Sequence, residues 1–171
     1  GDEYKVMGLA SYGRPRYLEH LKEVVELRAD GKFELNLNYF RHHDESVTYE
    51  WEGGTPVIGM LYSERLLTLL DIPVRETKTL EDHHRDLACS VQAMYEKAFF
   101  HLLNSLHRHY RKDTLTLAGG CAMNSVANGK IRKSTPFREI YIQPAAGDAG
   151  GAIGAAFAIW SDMGGKQKCV M

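Results

Sequence analysis

The chain has 171 residues, 44% hydrophobic and 25% charged, an average composition that excludes a disordered or fibrous protein. Its 21 Lys and Arg against 22 Asp and Glu give a formal net charge of −1, so no global basic field would attract nucleic acid. Three cysteines without a Cys-x-x-Cys pair disfavour a disulfide scaffold or a structural zinc site and favour a reducing cytosol.

The first half of the chain predicts short elements. Helix signals rest on apolar residues three or four apart, the strand on alternation, and the loop on Gly53-Gly54 and Pro56. In chain order, the patterns predict a glycine-containing region with a final turn over 1–13, a helix over 17–27, a half-buried strand over 33–37, mostly loop over 38–57 and a short helix over 60–70.

The strongest pattern is a long helix from Thr79 to about Tyr110. Thr79 and Asp82 are typical of a capped, acidic first turn, and apolar residues then recur every three or four positions up to Leu106. The apolar stripe is wider than a surface helix requires, so we expect packing on more than one side.

After this helix the pattern changes to that of a parallel sheet. A short β-rich run at 115–118 ends in Gly119-Gly120, and a helix-compatible stretch follows over 122–132. A second strand at 140–142 leads into a glycine turn and a last helix. Strand, glycine turn and helix, repeated twice, predict an α/β fold with a crossover-connected sheet.

The two glycine turns are the first candidate site. In open α/β sheets ligands bind beyond the carboxyl ends of strands, where glycine lets backbone N–H groups approach an anion such as phosphate. Neither turn matches a P-loop or dinucleotide fingerprint, and tight packing of each turn is the alternative. Two such turns at successive strand ends favour a phosphate or nucleotide site.

Polar residues beside these turns have two interpretations each. Asp148 could hold a divalent cation that bridges to phosphate, or it could cap the last helix. Asn124 could donate to a ligand oxygen or cap a turn. Glu3, Lys5 and Lys130 are candidate ligand-binding charges, although most surface charges are simply solvated.

The remaining residues favour structural roles. The eight histidines contain no His-x-x-x-His pair, so we expect no complete histidine metal site. The small residues of the last helix are too few for a membrane span and predict close helix–sheet packing instead. Trp51 and Trp160, with Tyr39, Phe40 and Tyr49, are expected to serve core or interdomain packing.

Three segments together are more specific than any of these parts. EYKVMGLASYG at 3–13, LAGGCAMNSVANGKI at 117–131 and IYIQPAAGDAGGAIGAA at 140–156 resemble the NodU/CmcH family of O-carbamoyltransferases. The HHRDLACSVQAMYEKAF run also resembles the central helix of that family. The resemblance spans essentially the whole chain and is weakest over 41–57.

The resemblance implies both a fold and a reaction. The fold is a ribonuclease H-like, actin-like ATPase (ASKHA) lobe with a mixed sheet flanked by helices, here the second lobe of a Kae1-like domain over 1–163. Residues 164–171 would then be a tail toward a YrdC-like domain. The reaction uses ATP and carbamoyl phosphate to form carbamoyl adenylate, releases pyrophosphate, and passes the carbamoyl group to a hydroxyl of a sugar, antibiotic or other secondary metabolite.

The same resemblance implies roles for particular residues. Gly119, Gly120 and Asn124 fall in the motif that lines the nucleotide phosphates, and Gly147 lies in the second glycine segment. Asp148 matches a metal-ligand aspartate, with Fe²⁺, Mg²⁺ and Mn²⁺ as the open identities of the metal. Glu3 and Lys5 fall in a motif that lies at the same cleft.

Departures from the family pattern limit what this chain can do alone. Cys121 stands where the family usually has an aliphatic residue, and no activating neighbour suggests a catalytic thiol. The chain has neither a starting Met nor an apolar leader, and the family's histidine ligands lie upstream of this segment. We therefore expect a cytoplasmic fragment that lacks the other lobes of its polypeptide and is inactive alone.

Several alternatives stay open at this point. The chain could belong to a threonylcarbamoyl-adenylate transferase or a sugar-kinase-like ATPase, or it could be a non-catalytic interaction module. Neither a nucleic-acid partner nor a membrane is expected, and association into a homodimer is left open.

Overall fold

The computed structural model describes residues 3–72 and 79–166 and shows a mixed α/β chain. The helices are α1 (Glu3–Ala10), α2 (Leu18–Val24), α3 (Glu64–Leu70), α4 (Asp82–Tyr110), α5 (Ser125–Asn128), α6 (Ile131–Ser134) and α7 (Gly150–Asp162). The strands are β1 (Val25–Leu27), β2 (Phe33–Leu35), β3 (Tyr49–Glu52), β4 (Thr55–Ile58), β5 (Thr114–Leu117) and β6 (Glu139–Ile142).

The described strands pair into three separate two-stranded sheets. β1 and β2 form an antiparallel hairpin, as do β3 and β4, whereas β5 and β6 are parallel. The predicted crossover between parallel strands is therefore confirmed. The expected single mixed sheet is not formed among residues 3–72 and 79–166, because each strand has only one neighbour there.

The chain divides into two compact units, Gly1–Leu106 and His107–Met171. In the first unit a core of Leu21, Val24, Leu70 and Met94 joins α2, α3 and α4. Tyr39 and Phe40 pack against this core half-buried, as expected for aromatic packing residues. Burying each large aliphatic side chain contributes about 1.5–3 kcal/mol to folding.

In the second unit the buried apolar residues lie in and around β5, α5 and α6. Ala127 and Ile131 are fully buried, and Leu115 of β5 is 8% exposed. The ring of Phe137 meets that of His107 edge to face, with ring centroids 5.3 Å apart. These contacts support the turns that follow β5.

The long helix α4 confirms the strongest sequence prediction. Asp86, Ser90 and Met94 are buried on one side, and Ala88 and Gln92 are buried about 200° around the helix axis. The helix is therefore buried on opposite sides, as its wide apolar stripe predicted.

Several shorter predictions were wrong at their boundaries. The helix predicted over 17–27 ends at Val24, because Val25–Leu27 pairs with β2 instead. The predicted loop over 38–57 contains the hairpin β3–β4, and the stretch over 122–132 breaks into a 3₁₀ turn and two short helices. The pattern over 1–13 gave no helix, yet Glu3–Ala10 is α1.

Two packing predictions had different outcomes. Trp51, Tyr49 and Trp160 are 67%, 56% and 42% exposed, so they are not core residues of either unit, and the interdomain packing that was the other expectation stays a prediction. The last helix α7 has no buried residue, which contradicts the close helix–sheet packing expected for its small residues. Of the predicted tail over 164–171, residues 167–171 lie outside the described part of the chain.

Candidate functional site

Two loops meet at the carboxyl ends of β5 and β6. The strands end together, with Leu117 opposite Ile142, and a glycine segment follows each. The backbone N–H of Gly119 donates to the carbonyl oxygen of Ala146 at 2.7 Å, which ties the two loops to each other. A Cβ atom placed on Gly147 would lie 2.9 Å from the sulfur of Met123, so the loops also pack closely there.

The structural reason for glycine differs from one position of these loops to another. Gly119 has φ +95° and ψ 166°, a conformation that is essentially restricted to glycine. Gly120 and Gly151 have no such backbone constraint, and beyond its neighbours and its own helical turn a Cβ on either would meet no described atom within 4 Å. Tight packing therefore does not explain these two residues, which leave open space beside bare backbone.

Asn124 acts as a cap in this structure. Its side-chain oxygen accepts a hydrogen bond from the N–H of Ala127 at 3.0 Å and so begins α5. The oxygen is thus used by the backbone, and a ligand contact by Asn124 would be made by its amide nitrogen. The capping interpretation is therefore correct for the side-chain oxygen of Asn124, and its contact with a nucleotide stays a prediction.

Asp148 does not cap the last helix. The N-cap position of α7 is Ala149, without a side-chain cap, and Asp148 is exposed in the preceding turn. Its carboxylate suits a hard divalent cation as one ligand. Among residues 3–72 and 79–166 no three His, Cys, Asp or Glu side chains cluster as a metal site. The residues described fit a metal only in part, with Asp148 as a single donor.

Two buried acceptors in the second unit were missed by the sequence analysis. Gln143 Oε1 and Asn128 Oδ1 are buried without a hydrogen-bond partner within the described residues. Gln143 directly follows β6, at the strand end where a ligand would bind, and this position is the signal that could have identified it. An unpaired buried acceptor costs about 1–3 kcal/mol, so a donor from water or a ligand would stabilise each one.

Cys121 stands beside the open backbone of Gly120. It is exposed and occupies the second position of the 3₁₀ turn Gly120–Met123. Its position in the loop gives it access to whatever occupies the space beside Gly120.

Glu3 and Lys5 lie in the other unit, on α1. Both side chains are exposed, and Ala10 is the buried residue of that helix. The ammonium of Lys5 is 5.9 Å from the ring centroid of Tyr4. The structure thus brings together Gly119, Gly120, Asn124, Gly147 and Asp148 within one unit and places Glu3 and Lys5 on a helix of the first.

The first unit also contains a polar cleft that no motif predicted. A cavity of about 560 Å³ lies between residues 37–45 and 63–65. Its walls carry both signs of charge, and the hydrogen bond from Arg41 to Glu45 raises the pKa of the Arg41 guanidinium. This pairing leaves the Arg41 guanidinium poorly suited to bind a polyanion.

No helix among the described residues is both long enough and apolar enough to cross a membrane.

Comparison with known proteins identifies one family. The family model described as carbamoyltransferase N-terminus matches residues 1–157. The uncharacterized protein sll1178 of Synechocystis sp. is 39% identical over 160 residues, covering 92% of this chain and 24% of the relative. The nodulation protein NolO of Bradyrhizobium diazoefficiens is 37% identical over 168 residues, covering 95% of this chain and 26% of the relative.

A further nodulation protein, NolNO of Sinorhizobium fredii, is 34% identical over 168 residues and matches 95% of this chain. The chain spans between 21% and 26% of the length of these three relatives. The three segments that carry the resemblance all lie within the matched residues 1–157.

Proposed function

The chain belongs to the carbamoyltransferase N-terminus family, and on that premise we propose that it is one part of an ATP-dependent O-carbamoyltransferase. The intact enzyme would form carbamoyl adenylate from ATP and carbamoyl phosphate, with release of pyrophosphate and of the phosphate of carbamoyl phosphate. It would then transfer the carbamoyl group to a hydroxyl acceptor such as a sugar or secondary metabolite, with AMP as the leaving group. The relatives are about four times longer than the matched region, so the proposal concerns a longer polypeptide.

The fold proposed for this part is an actin-like (ASKHA) lobe. Parallel strands normally lie inside larger sheets covered on both faces, yet β5 and β6 have only each other among the described residues. The exposed apolar residues of α7 also require cover, Ile153, Phe157 and Trp160 among them. We propose that other segments of the polypeptide extend the sheet and cover α7.

The observation that carries the nucleotide proposal is the open space beside bare backbone in two joined loops. Gly119 and Gly147 bring the loops together, while Gly120 and Gly151 leave room for close approach. The N–H of Gly151 already donates to the carbonyl oxygen of Asp148, so the backbone donor proposed for a phosphate oxygen is the N–H of Gly120. Backbone donors of this kind bind phosphate without help from net positive charge, which this chain lacks. Asn124, Glu3 and Lys5 are proposed as further nucleotide contacts.

Asp148 is proposed as one ligand of a divalent metal ion. A bound cation would neutralise charge on the phosphates of the nucleotide. The carboxylate of Asp148 would hold it from the turn before α7, and its other ligands would come from outside the described residues.

Pyrophosphate release by the full-length protein tests the proposed function. Release from ATP that depends on carbamoyl phosphate is the expected result. Release of AMP from threonylcarbamoyl adenylate, without a requirement for carbamoyl phosphate, would identify a threonylcarbamoyl-adenylate transferase. ADP formation with a sugar and no pyrophosphate would identify a sugar kinase. Either outcome would refute carbamoyl transfer.

An interaction module is the second candidate, and one observation favours it. Ile153, Phe157 and Trp160 lie three or four residues apart along α7 and are 41%, 54% and 42% exposed. Such a face could bind a partner helix. Calorimetry of the full-length protein with ATP separates the candidates, because an interaction module would bind no nucleotide while retaining its partner.

A further inference from the structure

The side-chain oxygen of Gln143 faces the start of helix α7. Oε1 lies 3.7 Å from the position that a Cβ would take on Gly150, the first residue of that helix. The same Cβ would overlap the carbonyl oxygen of Ala145, so the loop between β6 and α7 closes tightly at this point. The fold of this loop therefore holds the Gln143 oxygen at the carboxyl end of β6.

No donor among the described residues reaches this oxygen. Oε1 of Gln143 is buried and accepts no hydrogen bond from residues 3–72 and 79–166, while the residue as a whole is only partly buried. The terminal torsion of a glutamine side chain is broad and roughly two-fold, and rotation about it breaks no hydrogen bond of this oxygen. The oxygen can therefore turn toward a donor that approaches the loop from outside.

Gln143 lies beside the loop that is proposed to bind phosphate. Ile142, the residue before it, is paired with Leu117 of β5, and neighbouring strands of a sheet lie about 4.8 Å apart. In the loop after β5, the N–H of Gly119 donates to the carbonyl oxygen of Ala146 at 2.7 Å. The Gln143 side chain and the loop after β5 therefore leave neighbouring strand ends, and both belong to the second compact unit.

The chemistry of the proposed substrates limits which donor this oxygen could meet. Ionised phosphate groups accept hydrogen bonds and donate none, so a donor must come from a group attached to the phosphate. In carbamoyl phosphate and carbamoyl adenylate, the amino group is joined to phosphorus through one carbon and one oxygen. The ribose hydroxyls and the adenine amino group are separated from phosphorus by longer chains of atoms. The donor that lies nearest to a bound phosphate is therefore the carbamoyl amino group.

We propose that Gln143 is a specificity-determining residue whose side-chain oxygen accepts a hydrogen bond from the carbamoyl amino group. The proposal rests on the proposed function, because it takes the phosphate to be bound by the loop after β5. A site that accepts a hydrogen bond from a substrate N–H discriminates against an analogue that lacks this donor. Gln143 therefore distinguishes a carbamoyl group from an acetyl group, which has a methyl group in place of the amino group.

Two stable nucleotide analogues test this selectivity without turnover. Adenosine 5′-(carbamoylmethyl)phosphonate has a methylene group in place of the bridging oxygen of carbamoyl adenylate and keeps the amino group. The matched 2-oxopropylphosphonate ester has a methyl group in place of that amino group. Calorimetry should show that the full-length protein binds the amide about tenfold more tightly than the ketone, because the ketone leaves the Gln143 oxygen without a donor.

Variants of the full-length protein then assign the selectivity to this oxygen. Gln143→Met removes the acceptor at similar side-chain size and should reduce the affinity ratio of amide to ketone to about one. Gln143→Glu keeps an acceptor and should retain the ratio, although its charge weakens the binding of both anionic analogues. Asn128→Leu is the matched control, because Asn128 Oδ1 is also buried without a partner in the described residues but belongs to α5. This control should leave the ratio unchanged.

A folded Gln143→Met variant that keeps the ratio, or one that loses affinity for both analogues equally, would overturn the proposal. An unmodified protein that does not prefer the amide would overturn it as well. If Gln143→Met does not fold, Gln143→Leu takes its place. Absence of carbamoyl-phosphate-dependent pyrophosphate release in the unmodified protein contradicts the proposed function, whereas normal release without a preference for the amide contradicts the role of Gln143 alone.

Discussion

Gly120→Ala should separate a ligand-binding loop from a merely tight turn. Gly120 begins the 3₁₀ turn after β5, its φ is not positive, and in the described part of the chain an added Cβ meets no atom within 4 Å apart from its neighbours. The substitution therefore causes no strain in the chain, and the loss of unfolded-state entropy raises stability by about 0.4–1 kcal/mol. Stability should be measured from urea unfolding at constant m-value.

Nucleotide binding should respond in the opposite direction. A methyl group on Gly120 occupies the space through which a phosphate would approach the backbone. Losing one charge-assisted hydrogen bond costs about 1.5–3 kcal/mol, which corresponds to a rise of roughly 10- to 150-fold in Kd or KM for ATP. The assay is pyrophosphate release by the full-length protein, with ATP affinity from calorimetry.

Two further glycines make this experiment specific. Gly129→Ala is the matched control, because it follows α5 in sequence and its Cβ would lie at an ordinary 3.5 Å from the carbonyl oxygen of Ser125. Gly119→Ala should lose stability as well as binding, since φ +95° strains any residue with a side chain. A folded Gly120→Ala variant with unchanged ATP affinity would refute the assignment of this loop to phosphate.

Two other predictions concern the fold and the metal. Gly31→Ala should lower the free energy of unfolding by about 2–5 kcal/mol, because φ is +78° and the new Cβ would lie 2.5 Å from Cβ of Ser105. Gly54→Ala is its control, because φ is +84° but the space around the Cβ is open, and it should cost about 1–2 kcal/mol. Equal losses in urea unfolding would contradict the close approach of Gly31 to α4. Asp148→Asn should raise the metal concentration for half-maximal pyrophosphate release about tenfold or more, while Asp162→Asn at the other end of α7 should not. An unchanged metal requirement would remove Asp148 from the ligand set.

The elements that were predictable from sequence are those whose pattern is long or repeated. Helix α4 was identified from its apolar repeat, and the parallel pair β5–β6 from two successive strand, glycine and helix units. Local patterns failed where pairing partners decide the conformation. Val25–Leu27 continues the apolar spacing of α2 but joins a hairpin with β2, so tertiary pairing overrides helical spacing there.

The hairpin β3–β4 shows a signal that was present but misinterpreted. Gly53 and Gly54 have φ +57° and +84°, the values of a tight two-residue turn between paired strands. Pro56 argued for loop, yet in a sheet of two strands every strand is an edge, where proline is tolerated. The dipeptide Gly-Gly between β-forming residues was the more informative feature.

For the candidate site, the sequence predicted the loops but not the state of their side chains. Asn124 and Asp148 each had a capping alternative, and only the structure separates them: Asn124 caps α5, and Asp148 leaves the N-cap to Ala149. The buried acceptor of Gln143 depends on how the loop after β6 folds around it, which spacing along the chain does not encode.

The glycines offer an independent way to locate surfaces that bind a ligand or another part of the polypeptide, because some of them have no structural reason within the described residues. Contacts closer than 3 Å at an added Cβ account for six of them and a positive φ for four more: Gly13, Gly31, Gly59, Gly147, Gly150 and Gly165 in the first set, and Gly53, Gly54, Gly119 and Gly164 in the second. Gly8, Gly120, Gly129, Gly151 and Gly154 have neither, although glycine within a helix costs about 0.5–1 kcal/mol relative to alanine.

A helical glycine that neither a close contact nor a positive φ requires is expected where another molecule or another part of the polypeptide approaches the backbone. Gly120 begins the 3₁₀ turn of the first joined loop, and Gly151 and Gly154 lie on the exposed α7, which follows the second loop. Gly129 follows α5, and Gly8 is on α1 with Glu3 and Lys5. The resemblance to carbamoyltransferases selected these segments by their residue types, whereas the open space around each Cβ selects them by geometry. Because the two criteria are independent, their agreement supports α1 and the two loops as the surfaces that meet a ligand or the remainder of the enzyme.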